Sequence, residues 1–313
     1  MKHHLLTIGI LSLLAAPVAS AQSHLLVVSG LSGEPQHEEQ FHAWAMAMIT
    51  AAGNRFNLPA DRITYLAEKP EKDSRRIAAT STKANIDAAL TRIAGSAGPT
   101  DRVLILLIGH GSSDGQSSRI NLPGPDLTAS DLATMLGRFT TQQVVVVNAA
   151  SASGAFQEPL LAQNRTIITS TKSGREQNES IFARFFVDAY AGDGADSDKD
   201  GRVSVLEAYD FANREVERFY KSDNRLQTEH SVLGGNREIA RAFNLGGGGA
   251  VAASSSPEVE GLVAEKLALE AEVQALTARK AEMEEAEYQR ELERLLLALA
   301  RKNQEIRAKE GTE

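Results

Sequence analysis

Two uninterrupted apolar runs constrain this chain more than any other feature. One follows Arg102, covers residues 103–108 and ends in Gly109-His110-Gly111. The other covers residues 144–147 and leads into Asn148-Ala149-Ala150-Ser151-Ala152-Ser153-Gly154. Aliphatic and β-branched runs without polar alternation are strands buried on both faces, as in a parallel sheet. In such sheets the chemistry lies just beyond the carboxyl ends of the strands. That rule delivers His110 and Ser151 to the same sheet edge as a candidate reactive pair.

The rest of the chain fits this frame. Residues 24–30 read as a first strand, and 38–52 have helical periodicity through Phe41, Trp44, Ala45 and Met48. A short strand is predicted at 63–66 and a helix at 82–93. A glycine- and serine-rich loop runs from His110 to the rigid, polar Asn121–Asp126 stretch, which either shapes a cleft or merely connects. Thr128 or Ser130 is placed to cap a helix over 131–138. A strand over 165–170 and helices over 179–191 and 205–220 complete the pattern. This alternation with short connections predicts a doubly wound α/β domain over 22–245, with a mostly parallel sheet flanked by helices.

The two ends read differently. Residues 1–21 have a short basic start, an apolar core over 5–16 and small residues at Val18-Ala19-Ser20-Ala21. That is the pattern of a secretory signal peptide, with cleavage expected before Gln22 and a secreted or periplasmic product. The apolar core is too short to span a bilayer, so no membrane association is expected once it is removed. Residues 246–257 are a Gly/Ser-rich linker. Residues 258–310 are rich in Ala, Glu, Leu, Lys and Arg. Val259, Leu262, Leu269, Val273, Leu276 and Met283 fit one heptad seam, and Tyr288, Leu292, Leu295, Leu299 and Ile306 fit another, out of register with the first. Lys266 and Lys280 fall on the first seam and weaken it. A coiled coil that joins copies of the chain or docks a protein partner is expected, against the simpler reading of a solvated helix.

The clearest motif is a metal loop. Asp196-Ser197-Asp198-Lys199-Asp200-Gly201-Arg202-Val203-Ser204-Val205-Leu206-Glu207 fits the calcium-binding EF-hand loop position by position. Alternation points the carboxylates of Asp196, Asp198 and Asp200 inward, and Gly201 permits the bend. Arg202 offers its carbonyl, Ser204 its hydroxyl or a bridging water, and Glu207 both carboxylate oxygens. All-oxygen ligation selects Ca²⁺ over transition metals. With one such loop, a structural ion that fixes the flanking helices is the expectation.

A net charge of −8 argues against a nucleic-acid surface. The chain has no cysteine, which excludes a thiol nucleophile and thiolate-bound zinc. An imidazole at a Gly-His-Gly strand end can serve as acid or base near neutral pH, or simply hydrogen-bond within the structure.

With both strand ends in view, the chain resembles the caspase, legumain and gingipain superfamily of cysteine endopeptidases, and bacterial legumain-like proteins more closely. In that superfamily the histidine of a His-Gly pair ends one strand, and the nucleophile ends the next in a pattern such as Ala-Cys-x-Ser-Gly. His110-Gly111 matches the first pattern. Ala150-Ser151-Ala152-Ser153-Gly154 matches the second, with Ser151 where the cysteine belongs. Thr169-Ser170 with Arg175-Glu176 resembles the segment lining the family's specificity pocket. The resemblance covers roughly 24–232 and implies a caspase-like fold that recognises a protein or peptide. It implies a substrate pocket at Gly111, Arg175 and Glu176.

A serine hydroxyl needs a base in hydrogen-bond contact and usually a carboxylate behind that base. Asp114 is the orienting candidate from sequence, and the N–H groups near Ser151 and Gly111 are candidates for an oxyanion hole. Two functions stay open: a catalytically silent domain used for binding or scaffolding, and a serine-dependent endopeptidase or acyl-transfer hydrolase.

Overall fold

A computed structural model describes residues 21–115, 117–246, 261–262, 265–266, 268–269, 272–273, 275–276, 279–280 and 283–310. Apart from Ala21 and Gly246, the expected signal peptide and linker lie outside the described residues.

The elements run β1 (Ser23–Ser29), α1 (Pro35–Asn54), β2 (Ile63–Ala67), β3 (Ala79–Thr80), α2 (Lys83–Ser96), β4 (Arg102–Ile108), β5 (Gly111–Ser113), β6 (Ser118–Ile120), β7 (Leu127–Thr128) and α3 (Ala129–Leu136). They continue with β8 (Gln143–Asn148), α4 (Gln157–Leu160), β9 (Arg165–Thr169), α5 (Phe182–Ala191), α6 (Val205–Ser222), β10 (Val232–Gly235), α7 (Arg237–Ala242) and α8 (Glu285–Glu310).

Seven strands form one sheet in the order β10-β9-β8-β4-β1-β2-β3. Neighbours from β9 to β3 pair in parallel, and β10 pairs antiparallel to β9 at the edge. The mostly parallel, helix-flanked sheet expected from the sequence is therefore present. Its cause is visible in the two buried faces. Leu25, Val27, Leu104, Leu106, Val145 and Val147 pack with α1, α5 and α6 on one side. Leu26, Val28, Val103, Ile105, Val144 and Val146 pack with α2 and α3 on the other. Successive side chains of a strand point to opposite faces, so a strand covered on both sides must be apolar throughout.

The strand order sets the site. The chain builds β1, β2 and β3 outward, then returns to place β4 on the other side of β1. In open α/β sheets such a reversal is where a crevice is expected beyond the carboxyl ends of the strands, here those of β1 and β4. The loop after β1 and His110 after β4 flank it, while Ser151 follows β8 on the far side of β4.

Several local features depart from the expectation, β3, α4, β10 and α7 among them. The 111–128 loop contains a small antiparallel sheet, β5-β6-β7. Its strands are two or three residues long and rich in serine, so they carry no hydrophobic periodicity. The helix expected from 179 starts at Phe182, because the backbone before it is held by Glu229. The third helix starts at Ala129, because Thr128 and Asp131 form a reciprocal capping box.

At the C-terminal end, the described residues between 261 and 276 are helical and are followed by α8. Leu276, Tyr288 and Leu295 are buried together, with Leu269, Val273, Met283 and Leu292 packed around them. Residues of the two heptad seams thus meet within one chain. No helix among the described residues is long and apolar enough to cross a membrane.

Candidate functional site

His110 and Ser151 lie at the ends of adjacent parallel strands, as the sequence predicts. Gly111 explains why they come so close. A Cβ there would lie 2.2 Å from the Ser151 carbonyl oxygen, so only glycine lets the two strand ends approach.

Neighbouring strand ends do not make a hydrogen-bonded pair. The Ser151 hydroxyl accepts from the Gly111 N–H and donates to the Gly111 carbonyl, each at 3.0 Å. Ser151 is only 4% exposed. Among the described residues no hydrogen bond joins it to His110. The Gly111 N–H expected in an oxyanion hole is already engaged by this hydroxyl.

His110 is turned to the β1 side of the crevice. Its Nε2 lies 3.2 Å from the Ser32 carbonyl and 3.3 Å from Nδ1 of His37. The His37 ring meets it edge-on at 4.7 Å, and the Phe41 ring at 5.2 Å. A carbonyl can only accept, so His110 carries its hydrogen on Nε2. That hydrogen is shared with His37 Nδ1, which puts the His37 hydrogen on Nε2. His37 Nε2 lies 3.3 Å from Glu179 Oε1. The carboxylate behind His110 is therefore Glu179, reached through His37. Asp114, the candidate from sequence, is engaged by Arg119 and by the Ser117 N–H. The arrangement leaves the Nδ1 lone pair of His110 as its basic atom. His37 and Glu179 escaped the sequence reading because no local pattern links α1 to the segment before α5.

Burial, and next the positive potential of His37, hold the His110 pKa below its ordinary value of 6.5. His24 is lowered as well, first by burial. A histidine depressed in the folded state is stabilising above 6.5 and loses that contribution as pH falls toward its folded pKa. The stability of the wild type should therefore fall relative to His110→Asn as pH drops from about 7.5 to about 5. Urea unfolding midpoints of both proteins across that range measure it; parallel curves would mean that His110 titrates as in the unfolded chain.

The segment after β8 is strained. Ala152 adopts the left-handed conformation with φ +54°, a state that costs a non-glycine residue about 1–2 kcal/mol. Its N–H donates to the Glu176 carbonyl at 2.7 Å. Next to it, the Ser153 hydroxyl lies 3.2 Å from both the Ser170 and Thr171 hydroxyls. These contacts hold the turn from the β9 side.

The substrate-pocket candidates separate on inspection. Arg175 is exposed. The Glu176 carboxylate accepts from the Lys172 and His230 N–H groups and lies 2.6 Å from His230 Nδ1. Burial opposes its charge, but these donors outweigh it and hold the carboxyl below the usual range. Glu176 is thus a fastening point between the loop and the approach to β10. Glu229, beside His230, accepts from Ser180, Ile181 and Phe182 at the start of α5. The stretch Glu229-His230 clamps the loop that carries both Arg175 and Glu179.

Of the residues expected to hold the metal, the structure gathers the carboxylates of Asp196, Asp198 and Glu207 into one cluster, which does not include Asp200, Arg202 or Ser204. Carboxylate oxygens of Asp196, Asp198 and Glu207 lie within 4.8 Å of one another. Gly201 takes φ +80°, the left-handed turn the motif needs. Val203 is buried in the core, which fixes the loop to the domain. Burial pushes the Glu207 carboxyl up, with the Asp198 charge adding to it. Ser204 caps α6 and donates to Glu207 Oε2 at 2.9 Å. Arg202 donates its N–H to Asp200 Oδ1 at 2.8 Å. Asp200 turns its other oxygen to Lys266, 3.0 Å away. The carboxylate cluster, the bend and an ammonium drawn to it make these residues a fit for a hard cation.

The family model described as the peptidase C13 family matches residues 79–235, half of the chain. No curated protein matches the chain.

Proposed function

The chain belongs to the peptidase C13 family, and from that premise we propose that it is a catalytically silent caspase-like domain that binds a protein or peptide. On this reading Ser151 stands at the family's nucleophile position. The observation that carries it is the bonding of the Ser151 hydroxyl to both backbone groups of Gly111, while His110 faces Ser32 and His37. A serine is a poor nucleophile without a base in contact, and at pH 7 it gains nothing from its own ionisation. The oxyanion-hole donor is also occupied. A serine-directed fluorophosphonate probe should label wild type no more than Ser151→Ala. Labelling of wild type that disappears in Ser151→Ala would overturn the proposal.

One observation favours the alternative, a serine-dependent hydrolase. The Nε2–H tautomer of His110, backed by His37 and Glu179, leaves Nδ1 free to act as a base. Attack would require the Ser151 hydroxyl to give up its two bonds to Gly111. The same probe separates the two readings.

The loop at 196–207 is proposed to hold Ca²⁺ through Asp196, Asp198, Asp200, Ser204, Glu207 and the Arg202 carbonyl. The gathered carboxylates support this, because such a group repels itself without a cation. The ion would fix the start of α6 to the loop after α5. The apolar core of residues 5–16 and the small residues at 18–21 support export of the chain, a compartment in which calcium is plentiful.

A further inference from the structure

A cation from the C-terminal arm lies against the 196–207 loop. The Lys266 ammonium lies 3.0 Å from Asp200 Oδ2 and 3.3 Å from Asp198 Oδ2. Its side chain is only 16% exposed. A second residue of the C-terminal arm reaches the same loop, where the Asn303 side-chain amide donates to the Asp198 carbonyl at 2.9 Å. Asn303 is 3% exposed. Lys302, next to Asn303, lies 2.7 Å from Glu265, next to Lys266, so the two helical stretches are tied at the level of the loop. The arm thus meets the head through two polar side chains on one carboxylate-lined turn. A lysine on an apolar seam position is costly to a coiled coil. Its contact with the loop gives that position a reason.

We propose that the C-terminal arm and calcium compete for this loop, so that calcium binding displaces Lys266 and releases the arm from the head. The inference rests on the calcium reading of residues 196–207. The physical reason is that both cations need the same oxygens. Calcium takes six to eight oxygen ligands at about 2.3–2.6 Å and draws Asp198 and Asp200 inward. An ammonium bonded to those two carboxylates occupies their lone pairs and repels the incoming ion. Calcium recruits oxygens that the docked arm holds, and the docked arm weakens calcium to the same degree. This reciprocity is a thermodynamic necessity when two ligands exclude each other. The loop is then a switch whose resting ligand is tethered.

The test uses the whole chain. Calcium is titrated by calorimetry into wild type, Lys266→Ala, Asn303→Ala and Asp196→Ala, with limited proteolysis of the arm followed in each. Calcium should bind Lys266→Ala about tenfold more tightly than wild type, within the usual range of allosteric coupling. Asn303→Ala, which leaves every loop carboxylate in place, should shift affinity in the same direction. Calcium should also speed cleavage of the arm in wild type, and this effect should vanish in Asp196→Ala. Calcium binding of equal strength in wild type and both arm variants, with unchanged cleavage, would overturn the competition and leave the calcium reading standing. No calcium binding to any variant, Lys266→Ala included, would overturn both.

Discussion

Glu229→Ala should lower the stability of the domain by about 3–5 kcal/mol, because it strands several buried neutral donors at about 1–3 kcal/mol each. Glu229 is 1% exposed. Its carboxylate accepts from the Ser180 hydroxyl at 2.6 Å, the Ile181 N–H at 3.0 Å, the Phe182 N–H at 3.3 Å and the Tyr220 hydroxyl at 3.3 Å. Two effects oppose each other. Burial pushes the Glu229 carboxyl up, so its ionised form is disfavoured and its removal relieves a cost. Against that, truncation strands the donors, at about 1–3 kcal/mol for each that finds no water. Two of them are backbone groups that open α5, where a negative charge is also favoured by the helix dipole. The stranded donors win. Loosening residues 180–182 would also free Glu179 from its place behind His37. Urea unfolding of wild type, Glu229→Ala and Glu229→Gln measures the effect. Glutamine keeps the volume and one acceptor oxygen, so its loss should be smaller. A loss below about 1 kcal/mol for the alanine variant would show that water replaces the carboxylate.

Ser151→Cys should raise peptide hydrolysis at least about a hundredfold above wild type, the lower end of what a positioned base contributes. A thiol is partly ionised near neutral pH and does not need a base in direct contact. His110, with Nε2 engaged by Ser32 and His37, keeps Nδ1 as its basic atom for proton transfer. The larger sulfur also cannot keep both 3.0 Å contacts that hold the serine oxygen to Gly111. Loss of those contacts returns the Gly111 N–H to an incoming carbonyl. The chain has no cysteine, so the new thiol is the only one, and its alkylation by iodoacetamide reports its ionisation directly. Turnover by Ser151→Cys that is lost in the double variant with His110→Asn is the expected pattern. A slowly alkylated thiol together with no turnover on a broad peptide panel would mean that the crevice is not arranged for hydrolysis at all.

Some of the site was readable in the linear chain because its causes are local. The apolar runs at 103–108 and 144–147 required strands covered on both faces, and those strands end just before His110 and Ser151. The gathering of carboxylates in the 196–207 loop was readable for the same reason, since Asp196 and Asp198 alternate along one turn. The capping box at Thr128 needs only residues three apart. By contrast, β5, β6 and β7 are too short and too polar to carry a periodic signal. The edge strand β10 is equally hidden, with two glycines among its four residues.

The sequence by itself determined the class of fold, the two strand ends and the carboxylates of the loop. Tertiary structure alone decided what those groups touch. The reversal of strand order between β1 and β4 brought Ser32 and His37 to His110 and engaged its Nε2 there. The approach to β10 fastened Glu176, and the arm placed Lys266 against Asp198 and Asp200. The physical reason is one of range. Burial patterns and turn chemistry act between near neighbours and are written in the spacing of residues. Hydrogen bonds and ion pairs join whatever the topology brings within about 3 Å, at any separation along the chain.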